Sequence, residues 1–215
     1  MDNSYYQKFA YIAVPVLAAI SAPSQASTLN FGCITDNDFS GISCDIAENQ
    51  MAVDISDATD IEGDKALFTF SNTGPDMESF ISEIYFMDGT LLGISSIDDS
   101  DPGVSYIEGA NPDHLPGYNI TASFTADNEP GAAWGIHTGE SLGILFDLLP
   151  GVTFADTLAA LNTGDLIIGI HVKGLGEGYE DMYSESLVNN VPVPAAVWLF
   201  GSGLIGLIGL ARRKT

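Results

Sequence analysis

Positive charge is what this chain of 215 residues has least of: six Lys and Arg stand against 29 Asp and Glu, for a formal charge of −23. Phosphate recognition needs clustered Lys and Arg, so nucleic acid is excluded as a partner. Histidine is nearly as sparse. His114, His137 and His171 are far apart and fit no zinc-ligand spacing. There is no Walker motif, nucleophile elbow or internal repeat to carry a catalytic assignment. Apolar residues are not scarce: they make up 46% of the chain and charged residues only 16%. The acidity comes from missing cations in a composition that folds, not from the weak hydrophobicity of a disordered chain.

The few cations are unevenly placed. Lys8, Arg212, Arg213 and Lys214 lie near the ends, leaving Lys65 and Lys173 as the only two between residues 27 and 190. Those 164 residues carry all the acids except Asp2, so 28 acidic and two basic residues give the body a charge of −26. The ends follow another logic. Residues 9–20 read FAYIAVPVLAAI, an apolar run too short to cross a bilayer, preceded by Lys8 and followed by Ser24 and Ala26. Small residues at those two positions suit signal peptidase, which predicts a secretory signal over 1–26 removed by a cut after Ala26.

At the other end, residues 195–211 read AAVWLFGSGLIGLIGLA without a charge. At 1.5 Å per residue a helix of this length spans about 26 Å, enough for a thin bilayer. The basic cluster Arg212, Arg213 and Lys214 follows and holds that end in the cytoplasm, with the acidic body on the far side. Just upstream, Pro192 and Pro194 fix an extended conformation and stop the membrane helix from running further back.

The stretch from residue 191 reads VPVPAAVWLFGSGL, with Val191, Pro192, Pro194, Trp198, Gly201 and Gly203 in order and the basic Arg212 and Arg213 behind. It resembles a PEP-CTERM sorting tail, in the variant that runs V-P-x-P-A-A-x-W-L-F-G-S-G-L. Val193 stands where the family's name places Glu. The resemblance covers about 25 of the 215 residues. It implies an exported bacterial envelope protein processed by exosortase, a membrane enzyme. Such a protein is tethered in the inner membrane with its body in the periplasm, and then delivered to the cell surface or the extracellular matrix. The implied setting is biofilm and exopolysaccharide, with signal peptidase, exosortase and the membrane as partners.

The body, 27–190, has the size of one domain. Candidate strands fall at 66–70, 84–86, 91–97, 118–124, 133–137, 142–147 and 166–173, and Asp88-Gly89 suggests a tight hairpin between the second and third. In the last, Leu166, Ile168, Ile170 and Val172 share one face, and Ile167, Gly169, His171 and Lys173 share the other. Residues 153–161 predict one short helix with Thr153 as N-cap and Gly164 as stop. The fold expected is mostly β: an antiparallel β-sandwich-like body with one short helix, plus a C-terminal transmembrane helix.

Cys33 and Cys44 lie eleven positions apart, and export to an oxidising compartment predicts a disulfide between them, a metal or catalytic thiol being the alternative. Calcium is the ligand best suited to the acidic loops, through Asp36 and Asp38 or through Asp98, Asp99 and Asp101, although neither group has the EF-hand pattern. No cofactor and no catalytic residue are assigned. The expected role is a non-enzymatic envelope protein, the alternatives being an exported carbohydrate-active enzyme and a calcium-dependent binding module.

Overall fold

Apolar residues recur at every second position through much of the body, the period that lets a strand bury one face. The computed structural model describes residues 26–74, 78–87, 89–118, 120–175 and 183–190. Among these the alternation becomes ten strands: β1 (Ala26–Cys33), β2 (Met51–Asp57), β3 (Lys65–Asn72), β4 (Phe80–Met87), β5 (Leu91–Asp98), β6 (Tyr106–Glu108), β7 (Phe124–Asn128), β8 (Ser141–Leu148), β9 (Ile167–Leu175) and β10 (Tyr183–Asn189). Helix α1 (Ile42–Gln50) lies between β1 and β2, and α2 (Phe154–Thr163) between β8 and β9.

All pairings are antiparallel, in the order β5-β8-β3-β2-β1-β10-β9-β4-β7-β6. Strand β1 is the corner. Its residues Ala26 to Asn30 pair with β2, while Phe31, Gly32 and Cys33 pair with β10. The two halves face each other as the layers of a sandwich do, but β1 joins them into one nearly closed sheet. Between them sits a cluster of phenylalanines. Phe146 of β8 meets Phe86 of β4 at 4.6 Å, Phe68 of β3 at 5.6 Å and Phe124 of β7 at 5.4 Å, and Phe68 meets Phe86 at 5.2 Å, all edge to face. The open edges are unattractive to another strand: β6 has three residues, and β5 shifts register twice against β8.

The expectation of one helix is corrected to two. Helix α2 stands where the sequence puts it, with Thr153 and Asp156 bonding reciprocally at its start and Gly164 left-handed (φ 80°) at its end. Helix α1 escapes sequence reading because ISCDIAENQ is polar and its N-cap, Gly41, has no side chain to mark the start. The hairpin at Asp88-Gly89 is also corrected. Strand β4 pairs with β7 and β9, and β5 pairs with β8, so the turn crosses from one half of the sheet to the other. The reason lies in β4, which is buried along its whole length and needs a neighbour on both sides. Asp88 itself lies outside the described residues.

Two further candidate strands change character. Residues 118–124 contribute only Phe124 to a strand, and 133–137 become part of a 3-10 turn (Ala132–Trp134) and a lone bridge from Ile136 to Ile81. The segment after β6 instead folds over the outer face of β4, where Leu115 packs with Tyr85 and Met87 in a second small core. Residues 1–25 of the 1–26 signal segment, the membrane span 195–211 and the sorting residues all lie outside the described residues. Among the described residues no helix is long and apolar enough to cross a membrane.

Because Phe86 is fully buried and touches Phe68, Phe70 and Phe146, Phe86→Ala is expected to cost about 3–5 kcal/mol. Truncating the fully exposed Ile61 should cost under ~0.5 kcal/mol. Urea denaturation of the two variants measures the contrast.

Candidate functional site

Strand β10 is the last element among the described residues. Phe31 pairs with Asn189, Gly32 with Val188 and Cys33 with Leu187. One more bond follows, from the Asn190 N–H to the Asn30 carbonyl at 2.9 Å. The Asn190 side chain crosses β1 so closely that a Cβ on Gly32 would stand 2.6 Å from its Oδ1, which explains a glycine inside this strand. Val191, Pro192, Pro194, Trp198, Gly201, Gly203, Arg212 and Arg213 come directly after, outside the described residues. Ala26, the last residue of the predicted signal, is exposed and is the first residue of β1.

The other end of β1 leads into a polar knot. Cys33 and Cys44 stand at disulfide distance, with their Cα atoms 5.7 Å apart and the sulfurs at 2.19 Å. Beside them Glu185 of β10 is fully buried and without a cation. Its carboxylate is satisfied by three donors: the Thr35 hydroxyl at 2.6 Å, the Asn37 N–H at 2.9 Å and the Ser43 hydroxyl at 2.7 Å. A buried charge needs such a set of donors, and here they tie β10 to the loop and to α1. Among the described residues, Cys33, Cys44 and Glu185 form the one convergent group of potential metal ligands. Two sulfurs bonded to each other and a carboxylate already holding three donors leave it poorly suited to an ion.

The acids singled out for calcium all accept backbone N–H groups. Asp38 accepts from the N–H groups of Ser40 and Gly41, both at 2.9 Å, and of Ser43 at 2.8 Å. The Ser40 and Ser43 bonds hold its carboxyl well below the usual range. Asp36, hydrogen-bonded to Asp38, is pushed up, and it also accepts the Gly41 N–H at 3.1 Å. In the other loop Asp98 accepts from Ser100 N–H at 3.2 Å, Asp99 from Tyr106 N–H at 3.4 Å, and Asp101 from both N–H and hydroxyl of Ser141 at 2.8 and 3.0 Å. Each of the three turns to a different partner. The fragment between Asp38 and α1 also projects Phe39, 91% exposed and in left-handed backbone (φ 56°).

Sequence reasoning missed a charged group on the outer face of the second half. Glu83 of β4 accepts from Lys173 Nζ at 2.8 Å and shares a 2.8 Å hydrogen bond with His171 Nδ1, while Ser82 donates its hydroxyl to the same carboxylate. Burial alone would push Glu83 up, but the bonds from His171, Lys173 and Ser82 outweigh it and hold the carboxyl at about 2. Next to it, burial and then the charge of Glu83 push Asp127 up. The buried Tyr85 hydroxyl two residues along has no hydrogen-bond partner. The signal was a Glu inside the apolar run FISEIYFM, facing a strand whose His171 and Lys173 share one side. Lys65, the body's other cation, bonds Asp60 at 2.9 Å and Glu62 at 3.2 Å. His114 pairs with Asp113 and His137 stacks on Phe80 at 5.0 Å.

Comparison with known families gives one match: residues 190–214 correspond to the family described as PEP-CTERM protein-sorting motif. The chain therefore carries a PEP-CTERM sorting domain, which implies an exported protein sorted through exosortase by a membrane-associated route to the cell surface. No curated protein and no solved structure matches the chain.

A depressed carboxyl stabilises the folded state above its unfolded pKa and loses that contribution as pH falls toward the folded value. The stability gap between wild type and Glu83→Gln should be full, about 3 kcal/mol, above about pH 5 and shrink between about pH 4.5 and 2. Denaturant titrations across that window test the sign. For the cysteine pair, the double variant Cys33→Ser/Cys44→Ser is expected to lose about 3 kcal/mol, and thiol labelling of the native, unreduced protein should modify neither residue.

Proposed function

We propose that this is a non-enzymatic protein of the cell envelope or extracellular matrix, exported by a signal cut after Ala26, tethered by the 195–211 segment, and released or re-attached when exosortase cuts near 191–194. The observation that carries the reading is the coincidence of two boundaries. The sorting motif begins at residue 190, and among the described residues the last hydrogen bond of the sheet falls on the same residue. The motif thus adjoins the last described strand directly, where a cut would fall next to the described body.

The delivered body, 27–190, would then carry 28 acids and two cations. A surface of that charge stays soluble and repels anionic polymers unless cations bridge them, which suits a component dispersed among exopolysaccharide. The non-enzymatic reading is supported by where the ionisable side chains are engaged. His171 and Lys173 are held by Glu83 and Glu185 by three donors, in contacts that join one segment of the fold to another, and Lys65 is held locally by Asp60 and Glu62.

The test compares intact mass and location of the protein in cells with and without the sorting enzyme. Mature protein in the outer fraction should begin at Ser27 and end within 191–194, and without the enzyme it should stay in the membrane fraction with Arg212 and Arg213 intact. Full-length C-termini in the outer fraction of wild-type cells would contradict the reading.

A further inference from the structure

The join between the two halves of the sheet is short. Strand β1 meets β10 through Phe31, Gly32 and Cys33, flanked by a bond from the Ile34 N–H to the Ser186 carbonyl at 2.8 Å and one from the Asn190 N–H to the Asn30 carbonyl at 2.9 Å. Beyond Ile34 the seam continues through side chains. Thr35 accepts the Ser186 N–H on its hydroxyl oxygen at 2.9 Å and donates that hydroxyl to Glu185 at 2.6 Å. Asn37 donates its backbone N–H to Glu185 and its side-chain amide to the Ser184 carbonyl at 2.5 Å, and the Ser43 hydroxyl completes the set around Glu185. Thr35, Asn37 and Ser43 all belong to the segment that the Cys33–Cys44 disulfide closes. One carboxylate oxygen of Glu185 lies within 4.8 Å of both sulfurs. The loop tied by the disulfide is thus the cage of the buried carboxylate.

A fully buried carboxylate such as Glu185 is tolerated only while donors replace the water it has lost. The N–H bonds that Asp38 accepts brace the turn from residue 38 to 43. They lie wholly inside the loop and fix its shape, not its position against β10. The cross-link supplies the position, since Ser43 is held next to Cys44, and Cys44 to Cys33, the residue of β1 that pairs with Leu187 of β10. We propose that the Cys33–Cys44 disulfide is a redox latch on the β1–β10 seam: closing it completes the donor cage of Glu185, and opening it loosens the join between the two halves. Opening is thiol–disulfide exchange with a dithiol partner. One thiolate of the partner attacks the sulfur of Cys33, the less buried of the pair, and Cys44 leaves; the second thiolate then releases Cys33 from the mixed disulfide. Two electrons and two protons pass to the cysteines as the partner becomes the disulfide. Glu185 is a positioning residue in this device, through which a local bond becomes a condition on a strand pairing. The latch stands or falls independently of the sorting reading.

Deuterium exchange of the full-length chain in detergent, refolded with its disulfide intact or in a dithiol reductant, provides the test. Measured relative to the β3–β8 ladder, the Ile34 and Ser186 amides should exchange about tenfold or more faster in the reduced chain, because the seam opens without global unfolding. In Glu185→Met, whose apolar side chain of similar length needs no donors, reduction should change the same ratio less than about twofold. Equal acceleration of seam and ladder overturns the proposal, since the disulfide then only stabilises the whole fold. An undiminished effect of reduction in Glu185→Met overturns it too, since the carboxylate then plays no part. Should Glu185→Met not fold, Ser43→Ala with its disulfide intact decides: loss of one donor should speed the two amides about tenfold relative to the ladder, and unchanged exchange overturns the proposal.

Discussion

The split pairing of β1 is the constraint on which the rest of the molecule depends. Five of its residues complete one half of the sheet and three complete the other, so the phenylalanine cluster between the halves forms only if this strand is in place. The strand begins at the predicted signal cut and ends at Cys33, and at Asn30 it accepts the bond from Asn190, the last residue described on the outgoing chain. Both ends of the body are therefore closed by one element. A long-range closure of this kind, which joins the first and last described strands, makes for slow folding.

The charge imbalance would be destabilising if the acids simply repelled one another, and the structure shows how part of it is absorbed. Asp38, Asp101 and Asp156 accept backbone N–H groups at turns and at a helix start, where the fold has donors to satisfy. Glu185 and Glu83 go further and are buried, one neutralised by donors alone and the other by a histidine and one of the body's two lysines. Carboxylates thus serve as acceptors for local backbone, a role that needs no cation and is compatible with a body of −26.

Much of the fold was legible where one physical signal acted alone. The alternation over 166–173 set Leu166, Ile168, Ile170 and Val172 on one face, and all four are fully buried; the cap and stop of α2 depend on neighbours in sequence and stand as expected. What failed was decided at a distance. The Asp-Gly turn carries a real local preference, yet β4 has apolar side chains on both faces and becomes a central strand between β7 and β9. Strand β10, YSESLVN, looks like a solvent-exposed loop until one sees that α1 and the loop before it cover Glu185. The Glu83 group was half visible: sequence put His171 and Lys173 on one face, but only the pairing of β4 with β9 supplies their acceptor.

The sorting tail was legible because it is a short linear signal, read by an enzyme as sequence rather than through the fold. Its boundary with the body is a structural property all the same. The match begins at residue 190, next to the end of β10 at Asn189, so the described body and the sorting signal adjoin in sequence. Strand alternation and helix capping, which disclosed the fold, report on packing and carry no information about a signal of this kind.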